Sequence, residues 1–435
     1  MDMNAIGILG ICLMLFLLFL GVPIAFSMAM VGVIGISLVA GVSQSLYQIV
    51  LVAWEKGTSY TMVCIPLFIF MGQLAKHSGI AEDLFDCLQK WLGRLRGGLA
   101  ISSVGACGAF GALTGSSVAC VATMGAIIFP QMKKYKYNLR LAAGVLSASG
   151  TLGILIPPSV TFAFYGIVTE TSIGALFIAG IIPGIITMFI FSFIVLIICT
   201  INPKSAGITQ RFSLKEKLLS LKAVWPPVAI FLIVSGTLYG GICTATEASG
   251  IGACTVLLYT LAKRKLSWSN FRHAVWDTGI ITCFIFAIII GGYLIGRFIL
   301  ITHISENVVN YVEALNLTQT HFLLFLILLY TILGCILDVY GMLIITLPFV
   351  FPIVVNYGID PIWFGVFIVV MTELALITPP VGVNVFVMKD LAPEVPIGDI
   401  FKGIIPFVFG EYLLIAILMR FPQIALWLPL RMISG

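Results

Sequence analysis

Two matching stretches of the sequence decide the fold: SASGTLGILIPPS at residues 147–159 and TELALITPP at residues 372–380. Each ends in a Pro-Pro pair, Pro157-Pro158 and Pro379-Pro380, and the pairs stand 222 positions apart. Two adjacent prolines remove two helix hydrogen-bond donors and clash with the preceding turn, so a helix that reaches them must break. Freed carbonyl groups beside Ser and Thr hydroxyls are hard oxygen ligands of the kind that sodium binds. A simple kink, which is common in membrane helices, is the alternative.

The Pro-Pro match is one of four that recur in the same order at nearly the same spacing. The others are Phe129-Pro130 with Phe351-Pro352 at 222 positions, Ile181-Ile182-Pro183 with Ile404-Ile405-Pro406 at 223, and Ile80-Ala81-Glu82 with Ile304-Ser305-Glu306 at 224. This agreement predicts two halves built on one design. In each half a span is followed by an amphipathic stretch, an interrupted apolar segment and a span broken by Pro-Pro.

The composition places both halves in a membrane. Hydrophobic residues make up 60% of the 435 positions and charged residues only 9%, against about 25% in an ordinary soluble domain. A soluble protein of this size could not cover its surface with so few charges, which excludes a cytosolic enzyme, a nucleic-acid-binding protein and a disordered scaffold. Apolar runs of about 20 residues recur without the alternation of a membrane barrel, so we predict an all-α polytopic membrane protein. The ten cysteines stand singly and predict neither a metal site nor disulfides.

Basic residues predict that the two halves are inverted relative to each other. Lys133, Lys134, Lys136 and Arg140 follow the first interrupted segment, whereas the equivalent residues 353–362 include no Lys or Arg. Under the positive-inside rule the first set faces the cytoplasm and the second faces outward. Equivalent positions on opposite sides define an inverted-topology repeat, a feature of secondary transporters. Counting spans between the basic loops places both termini outside.

Residues 99–132 are predicted to form a re-entrant hairpin, because a segment that starts and returns on the cytoplasmic side must turn within the membrane. Its tip is expected at Thr114–Ser117, where small and hydroxyl-bearing residues concentrate. The equivalent hairpin is predicted at 321–352, with its tip at Gly334–Asp338. A turn at membrane depth is tolerable only if it is buried in protein or lines a wet cavity. Hydroxyl and free N–H groups at such a tip offer an ion site.

Acidic residues inside the apolar runs are candidate functional groups. Asp338 lies between two such runs, where a charge costs at least a few kcal/mol unless it is paired. We interpret it as a residue near a cation or a gate, the alternative being a loop-end acid in contact with water. Glu411 lies within the last span, and the sequence leaves its role open. The broken helices are predicted at 139–165 and 361–388.

Several short motifs together make the chain similar to a known family. They are Gly72-Gln73-Leu74, Gly111-Ala112-Leu113-Thr114-Gly115-Ser116-Ser117, Ile156-Pro157-Pro158-Ser159, Ser172-Ile173-Gly174-Ala175-Leu176-Phe177-Ile178-Ala179-Gly180 with Pro183-Gly184, Thr246-Glu247-Ala248, and Thr378-Pro379-Pro380-Val381-Gly382. In this order, over nearly the whole length, the chain resembles the large membrane subunit of TRAP (tripartite ATP-independent periplasmic) transporters, within the ion transporter superfamily.

The resemblance implies a function and partners. Members of the family import organic anions such as C4-dicarboxylates, keto acids or sialic acids, coupled to sodium. They act with a periplasmic substrate-binding protein and a small four-helix membrane subunit. The chain is therefore expected to be a multi-pass protein of the bacterial inner membrane, with both termini periplasmic. Sodium is expected as the coupling ion at two or more sites, and neither a nucleic-acid partner nor an enzymatic activity is expected.

The family's fold pairs a fixed scaffold with a mobile transport domain that slides like an elevator. Carried onto this sequence, the resemblance implies N-terminal scaffold helices with the first amphipathic arm at 1–98, the first half of the transport domain at 99–200, a cytoplasmic linker at 201–222, the second scaffold part with the second arm at 223–320, and the second half of the transport domain with a C-terminal helix at 321–435.

The resemblance also implies two sodium sites and a substrate site. The first sodium site, between the first tip and the first broken helix, would comprise Gly115, Ser116, Ser117, Ser149, Gly153 and Pro157. The second, at the other tip and broken helix, would comprise Gly334, Asp338, Glu373, Thr378 and Gly382. The substrate would lie between the tips, within reach of Thr114, Ser116, Pro158, Thr161 and Asn384. No buried Arg stands out at either tip, so an anion would rely on helix N-termini and bound sodium.

Three other functions stay open on the sequence. A stand-alone sodium-coupled organic-anion carrier of the same superfamily would need no binding protein. An intramembrane enzyme could use Ser116 or Ser117 as a nucleophile, but no His or Lys at membrane depth in the first half could serve as base. A channel would not need two gated broken-helix sites, which suit alternating access. Since the sequence contains no Walker motif for ATP hydrolysis, we predict a sodium-coupled secondary transporter.

Overall fold

The chain folds as a helical membrane protein, seen here in a computed structural model that describes residues 3–207, 212–315 and 317–433. All regular secondary structure in these residues is helical, in 21 α-helices and two short 3-10 helices. Five of the helices are long and apolar enough to cross a bilayer, or seven spans are present if each of two bent helix pairs counts as one. The predicted all-α polytopic fold is confirmed.

The first five helices comprise four apolar or mixed helices and an amphipathic arm. They are α1 (Met3–Phe19), α2 (Ile24–Ala40), α3 (Val42–Gly57), α4 (Cys64–Lys76) and α5 (Ile80–Leu92). Helices α3 and α4 form a pair bent by 59°. Helix α5 is the predicted first arm, with one buried face, Glu82 and Asp83 in its first turn and Lys90 in its last. These charges complement the dipole of the helix at both ends.

The first hairpin is formed by α6 (Gly98–Thr114) and α7 (Ser117–Lys134), and only Gly115 and Ser116 lie between them. Gly115 has a φ of +58°, in the left-handed region that favours glycine. Ser116 caps α7, because its Oγ accepts a hydrogen bond of 3.4 Å from a backbone N–H in the first turn. Helices α6 and α7 thus span the segment 99–132, and the turn between them lies at the expected tip residues.

The first broken helix consists of α8 (Leu139–Ser149), the short α9 (Leu152–Leu155) and α10 (Val160–Thr169), with a bend of 44°. Residues 156–159 are not helical, and the Pro157-Pro158 peptide bond is cis. The helix therefore breaks at the Pro-Pro pair, as predicted, and it ends four residues beyond the expected position 165.

Five helices lie between the first broken helix and the second hairpin. They are α11 (Ile173–Ile201), α12 (Leu214–Tyr239), α13 (Ala245–Ala262), α14 (Trp268–Ile301) and α15 (Ile304–Ala314), the last being the second arm. The predicted linker at 201–222 is helical from Leu214 onward, and its residues 208–211 lie outside the described residues. Helix α12 begins there because Ser213 and Glu216 form a capping box. The backbone N–H and the hydroxyl of Ser213 both donate to the Glu216 carboxylate.

The second half repeats the hairpin and the broken helix. Its helices are α16 (Gln319–Gly334), α17 (Val339–Asn356), α18 (Pro361–Ile377), α19 (Val383–Leu391), α20 (Ile397–Arg420) and α21 (Gln423–Ile433). Residues 335–338 form the second tip, and residues 378–382 form the second break, where Pro379-Pro380 is again cis. Helices α16 and α17 span the segment 321–352, and α18 and α19 span 361–388.

The two halves interlock. Helix α19 packs on α7 and α8, α18 packs on α9, and α20 runs along α8. The backbones approach closely at Gly144 and Gly403, where a Cβ atom on Gly144 would lie 2.5 Å from the carbonyl carbon of Gly403. Each broken helix therefore contacts elements of the other half.

Candidate functional site

The first tip lies directly against the first break. The backbone N–H of Val160 donates to the carbonyl oxygen of Gly115 at 3.4 Å. A Cβ atom on Gly153 would lie 2.9 Å from the carbonyl oxygen of Ser116, and one on Gly115 would lie 2.8 Å from that of Pro158. The structure thus brings together Gly115, Ser116 and Gly153 of the predicted first sodium site.

The other three residues of that set also lie at this junction. Pro157 is in the break and Ser117 begins α7, and both are buried. Ser149 ends α8, is completely buried, and its Oγ has no hydrogen-bond partner among the described residues. Because buried polar groups are almost always hydrogen-bonded, this hydroxyl is an available oxygen ligand.

Asn384 joins the second broken helix to the first half. Its Nδ2 donates to Oγ of Ser117 at 2.7 Å and to the carbonyl oxygen of Ser147 at 3.1 Å. The side chain is completely buried, and its Oδ1 has no hydrogen-bond partner within the described ranges. An amide oxygen in this position is available to a cation or to a donor group of a ligand.

The remaining predicted substrate residues surround the same junction. Thr114 ends α6 at the tip, and Pro158 contacts the tip from the break. Thr161 in α10 is buried, and its hydroxyl has no hydrogen-bond partner among the described residues. In the same helix, Phe164 packs on the ring of Tyr340 in α17, with the ring centroids 5.2 Å apart. The second hairpin therefore contacts the first broken helix.

The second tip meets the second break in the same manner. A Cβ atom on Gly334 would lie 2.6 Å from the Cβ of Ala375, and the thiol of Cys335 donates to the carbonyl oxygen of Pro379 at 3.1 Å. The Thr378 hydroxyl donates to its own helix, at the carbonyl oxygen four positions earlier. The structure thus brings Gly334 close to the break that contains Thr378.

Asp338 and Gly382 each start a helix. Oδ2 of Asp338 accepts hydrogen bonds from the backbone N–H groups of Tyr340 and Gly341 at 3.2 and 3.3 Å, which makes Asp338 the N-cap of α17. Gly382 precedes α19 with a φ of +47°. A role of Asp338 as helix cap was not among the sequence-based alternatives.

Glu373 points away from the second tip. It stands two positions before Ala375, which is about 200° around an α-helix, and Ala375 faces Gly334. The Glu373 carboxyl instead interacts with Glu411 of α20, and Oε1 of Glu411 lies 3.4 Å from the Thr151 hydroxyl. The structure thus separates Glu373 from Gly334 and places it beside Glu411, which lies outside the predicted sites. A carboxylate in the middle of an apolar span was the sequence signal for Glu411.

Oxygen ligands dominate both junctions. In the described part of the chain no group of three His, Cys, Asp or Glu side chains could hold a metal ion. Hydroxyl, amide and carbonyl oxygens beside broken helices are typical of sodium and proton-coupled carriers. Two hairpins and two broken helices, interlocked across an inverted repeat, define the architecture of a secondary transporter.

Comparison with known proteins identifies the family. A sequence profile described as "Tripartite ATP-independent periplasmic transporter, DctM component" matches residues 11–424, and the chain belongs to this family. It is 34% identical over 387 residues to the C4-dicarboxylate TRAP transporter large permease protein DctM of Pseudomonas aeruginosa, covering 88% of this chain and 90% of that protein. It is 29% identical over 425 residues to the sialic acid TRAP transporter large permease protein SiaM of Vibrio cholerae, covering 95% of this chain and 96% of that protein. The resemblance found in the sequence is confirmed, and the chain is a multi-pass membrane protein.

A solved structure shares the fold. The YdaH transporter of Alcanivorax borkumensis, whose topology is described as unusual, superposes with a TM-score of 0.65 over 89% of this chain and 90% of that one. The sequence identity is 12%, so the likeness concerns the fold alone.

Proposed function

We propose that this chain is the large transmembrane subunit of a sodium-coupled secondary transporter that imports a small organic acid. The observation that carries the proposal is the meeting of the two halves at Asn384, whose amide contacts Ser117 at the first tip and Ser147 in the first broken helix. In carriers built from inverted repeats, substrate and coupling ions bind at such an interface of the repeats.

The proposed substrate is a carboxylate, such as sialic acid, a C4-dicarboxylate or a keto acid. Four helices, α7, α10, α17 and α19, begin directly after a tip or a break. Each helix N-terminus offers N–H groups and a positive dipole end that stabilise an anion by about 0.3–1 kcal/mol at an exposed site and more in a buried one. The anion would contact Thr114, Ser116, Pro158, Thr161 and Asn384.

Sodium is the proposed coupling ion. At the first junction the buried Ser149 hydroxyl and the carbonyl groups around Gly115 and Gly153 would supply oxygen ligands. At the second, Gly334, Thr378 and Gly382 would do so with Asp338. A cation bound beside each tip would also neutralise charge on the incoming anion, since no Lys or Arg is part of either set.

The proposed working unit has three components. The family's description as tripartite supports two further subunits, which we take to be a periplasmic binding protein that delivers the substrate and a small four-helix membrane subunit. The hairpins and broken helices would move as a transport domain against the scaffold by an elevator mechanism, in the bacterial inner membrane and with both termini periplasmic. We assign the chain a transport role and no enzymatic one.

Uptake into proteoliposomes tests this function. The chain is reconstituted with its small subunit under an inward sodium gradient, with and without a candidate binding protein. Labelled C4-dicarboxylates, 2-keto acids and sialic acid are supplied outside. Uptake that requires both sodium and the binding protein is expected, and the accepted acid names the substrate.

Two other outcomes count against the proposal. Sodium-driven uptake without a binding protein would favour the stand-alone carrier. Uptake that is independent of sodium would contradict the coupling, even if that uptake still required the binding protein.

A further inference from the structure

Two carboxyl side chains meet inside the helix bundle, away from both tips. Glu373 in α18 and Glu411 in α20 are each 0% exposed, and their carboxyl groups are close enough to interact electrostatically. The Thr151 hydroxyl, between α8 and α9, lies 3.4 Å from Oε1 of Glu411. Among the described residues, both oxygens of Glu373 and Oε2 of Glu411 have no hydrogen-bond partner. Three buried carboxyl oxygens are therefore available to a ligand.

The pair lies near the middle of the membrane. Glu411 stands nine positions after Lys402 and nine before Arg420, so that either charged end of the span is about 13.5 Å away along the helix axis. The hydrocarbon core is about 30 Å thick, which places Glu411 close to its midplane. Buried negative charge at this depth requires a counter-charge.

The described basic residues on the neighbouring helices do not provide that counter-charge. They are engaged with other groups or exposed at helix ends: Arg140 with the Lys402 carbonyl, Lys389 with the Pro393 and Val395 carbonyls, Arg420 with the Phe421 ring, Arg431 with the Trp427 ring, and Lys402 and His321 exposed. Unless the two carboxyl groups carry protons, the counter-charge must therefore come from a cation outside the chain.

We infer that Glu373, Glu411 and Thr151 bind one sodium ion, at a third site separate from the two tip sites. The inference rests on the proposed function, which makes sodium the cation that the site meets. Two carboxylates and a hydroxyl are hard oxygen ligands, as such a cation requires. The second tip does not share this ion, because Glu373 lies on the face of α18 opposite Ala375, which contacts Gly334. The ligands come from both broken helices and α20, so the ion holds the two halves together.

The test is a count of bound sodium per chain. Equilibrium binding of radioactive sodium is measured on the full chain, purified in detergent with its small subunit and without substrate. Glu411→Gln and Glu373→Gln preserve side-chain size, and each is expected to bind one sodium ion fewer than the unaltered protein. Glu247→Gln is the control, since Glu247 is exposed at the start of α13, and its sodium count is expected to be unchanged.

A milder variant covers the case in which the Gln variants do not fold. Thr151→Val removes one ligand, and we expect about a tenfold weaker affinity for one sodium ion with the total count preserved. Size-exclusion chromatography establishes that each variant is folded. An unchanged affinity in Thr151→Val would then overturn the third site by itself.

The outcomes separate this inference from the proposed function. Equal sodium counts in the unaltered protein and both folded Gln variants would exclude the third site without excluding sodium binding at the tips. If the unaltered protein bound no sodium at all, the proposed coupling would fail together with the third site.

Discussion

The side-chain amide of Asn384 donates a hydrogen bond to the Ser117 hydroxyl across 2.7 Å, joining residues that stand 267 positions apart. Ser117 begins α7 at the first tip, and Asn384 lies in the first turn of α19. Two helix N-termini from opposite halves of the chain therefore face one region. Because both ends carry partial positive charge, the region favours an anion.

Removing the Asn384 amide should impair transport. In Asn384→Ala the Ser117 hydroxyl and the Ser147 carbonyl lose their shared donor, at a cost of about 1–1.5 kcal/mol, or roughly tenfold in binding. We expect sodium-driven uptake to fall by about this factor. Asn307→Ala is the matched control, since Asn307 donates to Asn4 at an exposed position, and its uptake should be normal. Equal losses in both variants would contradict a specific role.

Asp338 can be tested as a cap and as a ligand separately. Asp338→Ala removes the N-cap of α17, which costs about 1 kcal/mol, and should impair uptake while membrane insertion continues. Asp338→Asn retains a capping oxygen but loses the charge. We expect Asp338→Asn to recover the thermal stability that Asp338→Ala loses. We do not expect it to recover the sodium affinity measured in uptake. Normal uptake by Asp338→Ala at several sodium concentrations would exclude Asp338 from the mechanism.

The first junction should not tolerate a methyl group at Gly153. A Cβ atom there would lie 2.9 Å from the Ser116 carbonyl oxygen, so Gly153→Ala must push the tip away from the break. We expect the sodium concentration for half-maximal uptake to rise about tenfold. Gly236→Ala in α12 is the control, because no atom lies within 4 Å of its Cβ position and alanine is the better helix former, by up to about 1 kcal/mol. An unchanged sodium dependence in Gly153→Ala would argue against ion binding at this junction.

An ion pair at the end of α7 should make stability depend on pH. Nζ of Lys133 donates to Glu394 across 2.6 Å, and this hydrogen bond lowers the pKa of the Glu394 carboxyl below its ordinary 4.5. A lowered pKa stabilises the fold above the ordinary value, and the effect is lost as the pH falls through the lowered one. Glu394→Gln should therefore reduce the melting temperature slightly at pH 7, by less at high salt, and not at all in strong acid. A difference that persisted in acid would point to packing instead.

Local chemistry made the hairpins and breaks predictable. Small residues at 114–117 and the Pro-Pro pairs at 157 and 379 act on their own backbone, whatever the surroundings. The structure places its tips and breaks at these residues. The start of α12 had a local signal as well, in the capping pattern Ser213 to Glu216, but the surrounding basic residues favoured a linker.

Tertiary packing decided what the sequence could not show. Glu373 lies close in sequence to the second break, yet the rotation of α18 turns it away from Gly334 and toward Glu411. The helices that pack on α18 set its orientation, and no local sequence motif predicts that orientation. Thr151 reaches Glu411 across 260 positions, a contact that only the folded chain defines.

The two tips are capped by different residues. At the first tip the cap of α7 is Ser116, and at the second tip the cap of α17 is Asp338. Both side chains meet the same backbone demand, but one is neutral and the other ionisable. If the halves descend from a duplicated gene, the copies have diverged in charge while retaining their shape. A negatively charged substrate would then meet a different charge at each tip. Its interaction energy would therefore differ between the first and the second tip, although the architecture is symmetric.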